Sequence, residues 1–265
     1  MHIKFHIWVL GCALINLLAT ADVVVGSPQT IWVVDGNGFL GTVDSATGTP
    51  TIIGSTETSM SDLAIDASGN LWGVGGAGFQ KLFTIDETTG LATLVGDMGA
   101  PINSLVFGPD GTLYGAYSSL VKINTTTAAL TLVGPTGYQA AGDLAFNGGS
   151  LYMSGADPGG FGSDVLVQLN TTTGVGTLVG PFGVTSMLGL ATGTDGVLYG
   201  GSGNHIVTID TATGAASPLS MWPLFNGGFS GVYGMDIAVP EPATALLLIG
   251  GAALAFRRKQ PIRPR

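Results

Sequence analysis

Residues 81–96 read KLFTIDETTGLATLVG, and the same pattern occurs in four other places. FLGTVDSATGTPTIIG at 39–54 precedes it, while LVKINTTTAALTLVG at 120–134, LVQLNTTTGVGTLVG at 166–180 and IVTIDTATGAASPLS at 206–220 follow. Each copy holds two apolar-alternating segments around a Thr-rich turn, which predicts a β-hairpin. The turn opens on Asp44, Asp86, Asn124, Asn170 and Asp210, spaced by 42, 38, 46 and 40 residues. A carboxylate or amide there caps its own turn, and the glycine four residues later suits a left-handed position. Ala128 is the one departure from that glycine.

Upstream of each hairpin lies a short strand with an aromatic second residue: Ile31-Trp32, Leu71-Trp72, Leu113-Tyr114, Leu151-Tyr152 and Leu198-Tyr199. Before four of these sits another strand, around Leu63, Leu105, Leu144 and Leu190, joined through turns such as Pro109-Asp110-Gly111 and Thr194-Asp195-Gly196. Four short strands per repeat of about 42 residues make a β-propeller blade. The expected fold is therefore all-β, a five-bladed propeller over residues 22–239. The first repeat lacks its innermost strand, and an orphan copy, Gly234-Met235-Asp236-Ile237-Ala238, stands at the far end. That strand is expected to complete the first blade and close the ring. A β-solenoid is the alternative, but it would not leave a matching part-repeat at each end.

The two ends of the chain read as export signals. Lys4 provides a positive n-region, Phe5 to Leu18 an apolar h-region, and Ala19-Thr20-Ala21 an A-x-A cleavage site, so residues 1–21 are expected to be a signal peptide. Val9-Leu10-Gly11-Cys12 resembles a lipoprotein box, yet apolar residues continue to Ala19, beyond where such a box should sit. Cleavage after Ala21 leaves a mature chain without cysteine, hence without disulfides or thiol chemistry. At the other end Val239-Pro240-Glu241-Pro242 precedes an apolar run from Ala243 to Phe256 and a basic stop, Arg257-Arg258-Lys259. The prolines favour an extended, accessible segment. Fourteen residues of helix span about 21 Å, short of the roughly 30 Å hydrocarbon core, so the single transmembrane helix expected there inserts marginally. The basic cluster should stay cytoplasmic.

Residues 240–265 together resemble the PEP-CTERM sorting tail of exported proteins in exopolysaccharide-producing Gram-negative bacteria. The resemblance implies recognition by exosortase, a transpeptidase-like membrane enzyme, and cleavage near Pro240-Glu241-Pro242. It implies Sec-dependent export, a transient stay in the inner membrane, and delivery to the cell surface or secreted matrix. An ordinary single-span anchor is the plainer alternative.

All 17 acidic residues lie between Asp22 and Glu241, where Lys81 and Lys122 are the only Lys or Arg, leaving that stretch at 17 − 2, or −15. That balance excludes a nucleic-acid partner, which needs a basic footprint. It fits a protein kept soluble outside the cell or one that attracts cations.

The candidate sites are few. Trp32, Trp72, Tyr114, Tyr152 and Tyr199 share one repeat position; recurrence in every blade favours inter-blade packing over a sugar-stacking platform. Asn124-Thr125-Thr126 and Asn170-Thr171-Thr172 read as glycosylation sequons, but turn chemistry explains them better. Asp62, Asp143 and Asp236 align on the innermost strands, with Ser104 and Gly189 in the other two blades. They are the candidate Ca²⁺ ligands, set against a structural role in binding neighbouring backbone amides. His205 is the only histidine of the mature body, so a Ser-His-Asp triad would have to use it. No other catalytic constellation is legible. The expectation is an exported, non-catalytic propeller with no cofactor beyond that calcium. Its expected partners are exosortase and extracellular polysaccharide or surface proteins. A matrix-active polysaccharide hydrolase or lyase with a tunnel-mouth site is the alternative.

Overall fold

The structure, a computed structural model, describes residues 28–159, 162–221 and 231–238. The expected signal peptide, including Ala19 and Ala21, and the sorting tail from Val239 onward lie outside the described residues. Five four-stranded antiparallel sheets form the fold. From innermost strand outward, the second blade holds β4 (Met60–Ile65), β5 (Leu71–Gly75), β6 (Lys81–Ile85) and β7 (Ala92–Asp97). The third holds β8 (Ser104–Phe107), β9 (Leu113–Ala116), β10 (Ser119–Ile123) and β11 (Leu130–Pro135). The fourth holds β12 (Ala140–Asn147), β13 (Ser150–Gly155), β14 (Val165–Leu169) and β15 (Gly176–Pro181). The fifth holds β16 (Met187–Thr192), β17 (Leu198–Ser202), β18 (His205–Ile209) and β19 (Ala216–Met221).

The first blade is composite. β1 (Thr30–Val34), β2 (Phe39–Asp44) and β3 (Pro50–Ser55) come from the start of the body, and β20 (Gly234–Asp236) from its end. β20 pairs antiparallel with β1, setting Trp32 opposite Asp236, Val33 opposite Met235 and Val34 opposite Gly234. The expected N/C closure is present. The only helical element among the described residues is a 3₁₀ turn at Ala77–Phe79, and no described helix is long and apolar enough to cross a membrane.

The core is not one mass but five wedges, one between each pair of adjacent blades. Val34 and Leu40 meet Met60, Leu63 and Phe83 across the first interface, and Ile31 and Met235 meet Ala191, Tyr199 and Ile206 across the last. Each third strand pairs with its fourth through a register shift at one repeat position, Leu40/Gly41, Leu82/Phe83, Leu120/Val121, Leu166/Val167 and Ile206/Val207. The bulge turns a second consecutive apolar residue inward, so Ile53, Val95, Val133, Val179 and Leu219 each pack on a wedge. Their neighbours Ile52, Leu94, Leu132 and Leu178 point to solvent instead.

The Thr-rich turns form as expected and also make inter-blade contacts. Asp86 Oδ1 accepts the Thr88 and Thr89 amides at 2.9 and 2.8 Å, and the Gly90 amide donates to the Asp86 carbonyl at 2.8 Å. Asn124 and Asn170 hold the same geometry, each accepting two amides at 2.9–3.0 Å, so the sequon asparagines are turn caps. The turn glycine lies against backbone of the preceding blade: a Cβ on Gly174 would fall 2.3 Å from the Gly134 carbonyl oxygen, and one on Gly214 would fall 2.5 Å from that of Gly180. Gly48 meets Met221 in the same way, which carries the contact across the ring closure.

Candidate functional site at the propeller axis

The three aspartates converge at the axis. Each accepts the amide of the residue after it: Leu63 to Asp62 at 2.7 Å, Leu144 to Asp143 at 2.6 Å, and Ile237 to Asp236 at 2.7 Å. The second oxygen reaches into a neighbouring blade. Asp236 takes the Ile65 amide at 2.8 Å, Asp62 the Leu105 amide at 2.5 Å, and Asp143 the Leu190 amide at 2.6 Å. Asp143 also accepts the Met235 amide at 3.2 Å, tying the fourth blade to the closing strand. These carboxyls fasten inner strands that otherwise share no ladder. Where the aspartate is missing, the gap has another occupant: Ser104 donates to the Ala116 carbonyl, and a Cβ on Gly189 would fall 2.6 Å from the Met235 side chain.

Burial sets their ionisation. Asp62 and Asp143 are fully buried, and burial first of all raises both carboxyls well above the usual range. The charge of Asp143 pushes Asp62 further up, while backbone amides pull both partly back. Burial pushes Asp236 up to about 7 against the bonds from Ile65 and Ile237. Among the described residues no three His, Cys, Asp or Glu side chains are grouped as ligands for an ion.

The aromatics at the shared repeat position pack between blades. Trp72 meets Phe107 edge-on with centroids 6.0 Å apart, and Tyr114 meets Phe146 at 5.8 Å. Tyr199 is fully buried and donates its hydroxyl to Asp195 at 2.9 Å. His205 is exposed, opens β18 opposite Met221 and Ser202, and lines neither of the cavities described next.

A cavity lies at each end of the inner strands. On the face of the Thr-rich turns, a depression of about 650 Å³ is lined by Asp66, Ser68, Trp72, Phe107, Phe146 and Asp236, among others. Its carboxylate Asp66 is occupied by the Ser68 and Asn70 amides, both at 2.9 Å, and by the Trp72 indole at 3.2 Å. On the opposite face a second cavity of about 550 Å³ is lined by Phe79, Asn103, Tyr117, Gln139, Ser186 and Tyr233, among others. These residues come from loops that do not repeat between blades, and sequence reasoning missed them. The one available signal was aromatic and amide residues at loop positions where other blades carry small ones.

Comparison with known proteins reaches the tail and the fold separately. The family model described as the PEP-CTERM protein-sorting motif matches residues 238–259. The chain carries that motif. It marks the protein for export and exosortase-mediated sorting to the cell surface in Gram-negative bacteria. The match begins at Ala238, two residues after β20 ends, so the sorting signal follows directly on the closing strand.

Comparison with curated proteins finds no match. Among solved structures, the body resembles a protein described under "The de novo evolutionary emergence of a symmetrical protein" at 18% identity and a TM-score of 0.54, covering 80% of this chain and 100% of that one. It resembles a structural genomics protein of unknown function from Bacteroides thetaiotaomicron at 12% identity and a TM-score of 0.54, covering 80% and 65%. A chain of a nidogen/laminin complex aligns at 13% identity and a TM-score of 0.52, covering 82% and 87%. At such identities the likeness is one of fold.

Proposed function

We propose that the propeller is a non-catalytic binding module, delivered by exosortase to the surface or the secreted matrix, where it engages glycan or protein partners. The carrying observation is the use made of the axial carboxyls. Asp62, Asp143 and Asp236 are the carboxyls of the innermost strands, yet Asp62 and Asp143 are fully buried, and the oxygens of all three accept backbone amides that join blades. A glycosidase needs two carboxyl groups free to face one scissile bond. At the open mouth on the turn face, Asp66 is likewise engaged by donors from three local residues, Ser68, Asn70 and Trp72. His205, the histidine a triad would require, lies apart from both mouths. The body's strong negative charge fits a soluble extracellular protein.

The test is to incubate the mature surface-released protein with matrix polysaccharide and surface extract from an exosortase-competent host, assaying capture and new chain ends together. Capture with no reducing or unsaturated ends is expected. Release of such ends, lost on His205→Ala or Asp66→Asn, would establish the hydrolase or lyase reading instead.

A further inference from the structure

The cavity opposite the Thr-rich turns carries a sparsely populated backbone conformation on a bulky, exposed residue. Phe79 lies on it with a φ of 55°, a left-handed value that suits glycine rather than phenylalanine. Left-handed backbone costs a bulky residue roughly 1–2 kcal/mol. Burial does not offset that cost, because Phe79 is 42% exposed. Ser186, on the same cavity, is left-handed too at φ 57°. Of the four described non-glycine residues with positive φ, two therefore line this one mouth. Residues held in sparsely populated backbone regions cluster at active sites and ligand clamps.

The Phe79 loop is held in place. Its amide donates to the Gly76 carbonyl at 3.1 Å, its carbonyl accepts the Ile102 amide at 2.9 Å, and the next carbonyl, of Gln80, accepts the Met98 amide at 2.7 Å. Tyr233, also 42% exposed, is held by its amide to the Val34 carbonyl at 2.9 Å, with its ring against Gly36. Tyr117 is positioned by Gln139, whose side-chain amide donates to the phenol oxygen at 3.0 Å. Three aromatic side chains thus share one mouth with amides and hydroxyls. Neither Lys81 nor Lys122, the only Lys or Arg of the body, lines it.

We infer that this mouth binds a neutral, hydroxyl-rich polysaccharide through Phe79, Tyr117 and Tyr233; this rests on the binding-module reading above and specifies its site and ligand class. Aromatic faces stack on the C–H faces of sugar rings, and amides and hydroxyls answer their hydroxyl groups. Acidic polysaccharides fit poorly, because the stretch from Asp22 to Glu241 carries −15, from 17 acidic and 2 basic residues, and the mouth itself holds Asp164 and no Lys or Arg.

Affinity electrophoresis of the mature protein through gels containing a neutral polysaccharide panel (dextran, mannan, galactan, hydroxyethyl cellulose), with alginate as the acidic control, tests this. Retardation by at least one neutral polymer and none by alginate is expected. Tyr233→Ala should weaken that binding by about 10-fold, the scale of one lost aromatic contact. Phe79→Gly should weaken it as much while leaving the melting temperature equal or higher, because glycine relieves the left-handed backbone; a purely structural Phe79 would lower it. Ser68→Trp, at an exposed position of ordinary backbone that crowds the opposite mouth, should leave this binding unchanged. Neutral-polymer binding that survives both aromatic variants and falls with Ser68→Trp overturns the site but leaves the binding reading standing. Retardation by alginate alone overturns the ligand class, and protein-only capture with no polysaccharide retarding the wild type overturns this inference while leaving a protein-binding module.

Discussion

Asp44, Asp86, Asn124, Asn170 and Asp210 do one job with two side chains: an oxygen that accepts amides two and three residues ahead. Aspartate and asparagine exchange freely at this position because only an acceptor is needed. The residue that closes the turn is less free. Gly174 has φ 79°, and a Cβ there would sit 2.3 Å from a backbone oxygen that cannot swing aside. Gly174→Ala should therefore cost roughly 2–5 kcal/mol, from left-handed strain plus overpacking, and urea denaturation of the mature body measures it. Ala128 shows what tolerance requires. It keeps φ 58° with its methyl buried against Gly96, and the fit depends on that glycine, since a Cβ added at Gly96 would fall 3.0 Å from the methyl. Its departure from the glycine pattern was visible in the sequence; the reason it is tolerated was not, because that reason belongs to the adjacent blade.

At the scale of strands, the repeats disclosed most of the architecture. Hairpins, inner strands and the orphan closing strand were all legible, because period-2 alternation and turn residues are local signals. The bulge was not. Two consecutive apolar residues, as in Leu94-Val95, break the alternation, and only the pairing across β6 and β7 shows that one turns inward and the other faces solvent. The second mouth was equally hidden, since Phe79, Tyr117 and Tyr233 stand in loops with no repeat to align. The axial aspartates were found by alignment, while their inter-blade bonds needed coordinates. For the closing strand a direct test follows. Ending the body before Gly234 removes both the β1 pairing and the Asp236–Ile65 bond, leaving β1 as an open edge beside the axis. The truncated protein should melt well below the intact body and aggregate on size-exclusion chromatography; an unchanged melting temperature would show that the ring does not depend on its closure.

The whole molecule carries two opposed sets of carboxyl groups, and their signs fix its pH response. Asp236 is raised from 3.8 to about 7 when folded, and Asp62 and Asp143 are raised as well, so the folded state holds protons that the unfolded chain has released. Their contribution is fully present below pH 3.8 and is lost as pH rises through about 7. The turn carboxylates act the other way. Thr88 and Thr89 hold Asp86 down at about 2, and Asp44, Asp110 and Asp210 are lowered by the same kind of bond, so their contribution is lost as pH falls below 3.8. Stability of the body should peak on the acidic side of neutrality and decline toward pH 8. Asp236→Asn should flatten the decline between pH 5 and 8 without altering the loss below pH 4, as read from melting temperatures across that range.

Fold and sorting meet at one point in the chain, where the ring-closing strand ends at Asp236 and the sorting motif starts at Ala238. A cut within the motif must spare β20 if the delivered propeller is to stay closed. Intact-mass measurement of the protein released from an exosortase-competent host tests that arrangement most directly. The predicted mass is that of a chain starting at Asp22 and ending within Val239 to Pro242, with the closing strand retained. An intact C-terminus at Arg265 on surface-released protein, or a cut inside 234–238, would contradict it.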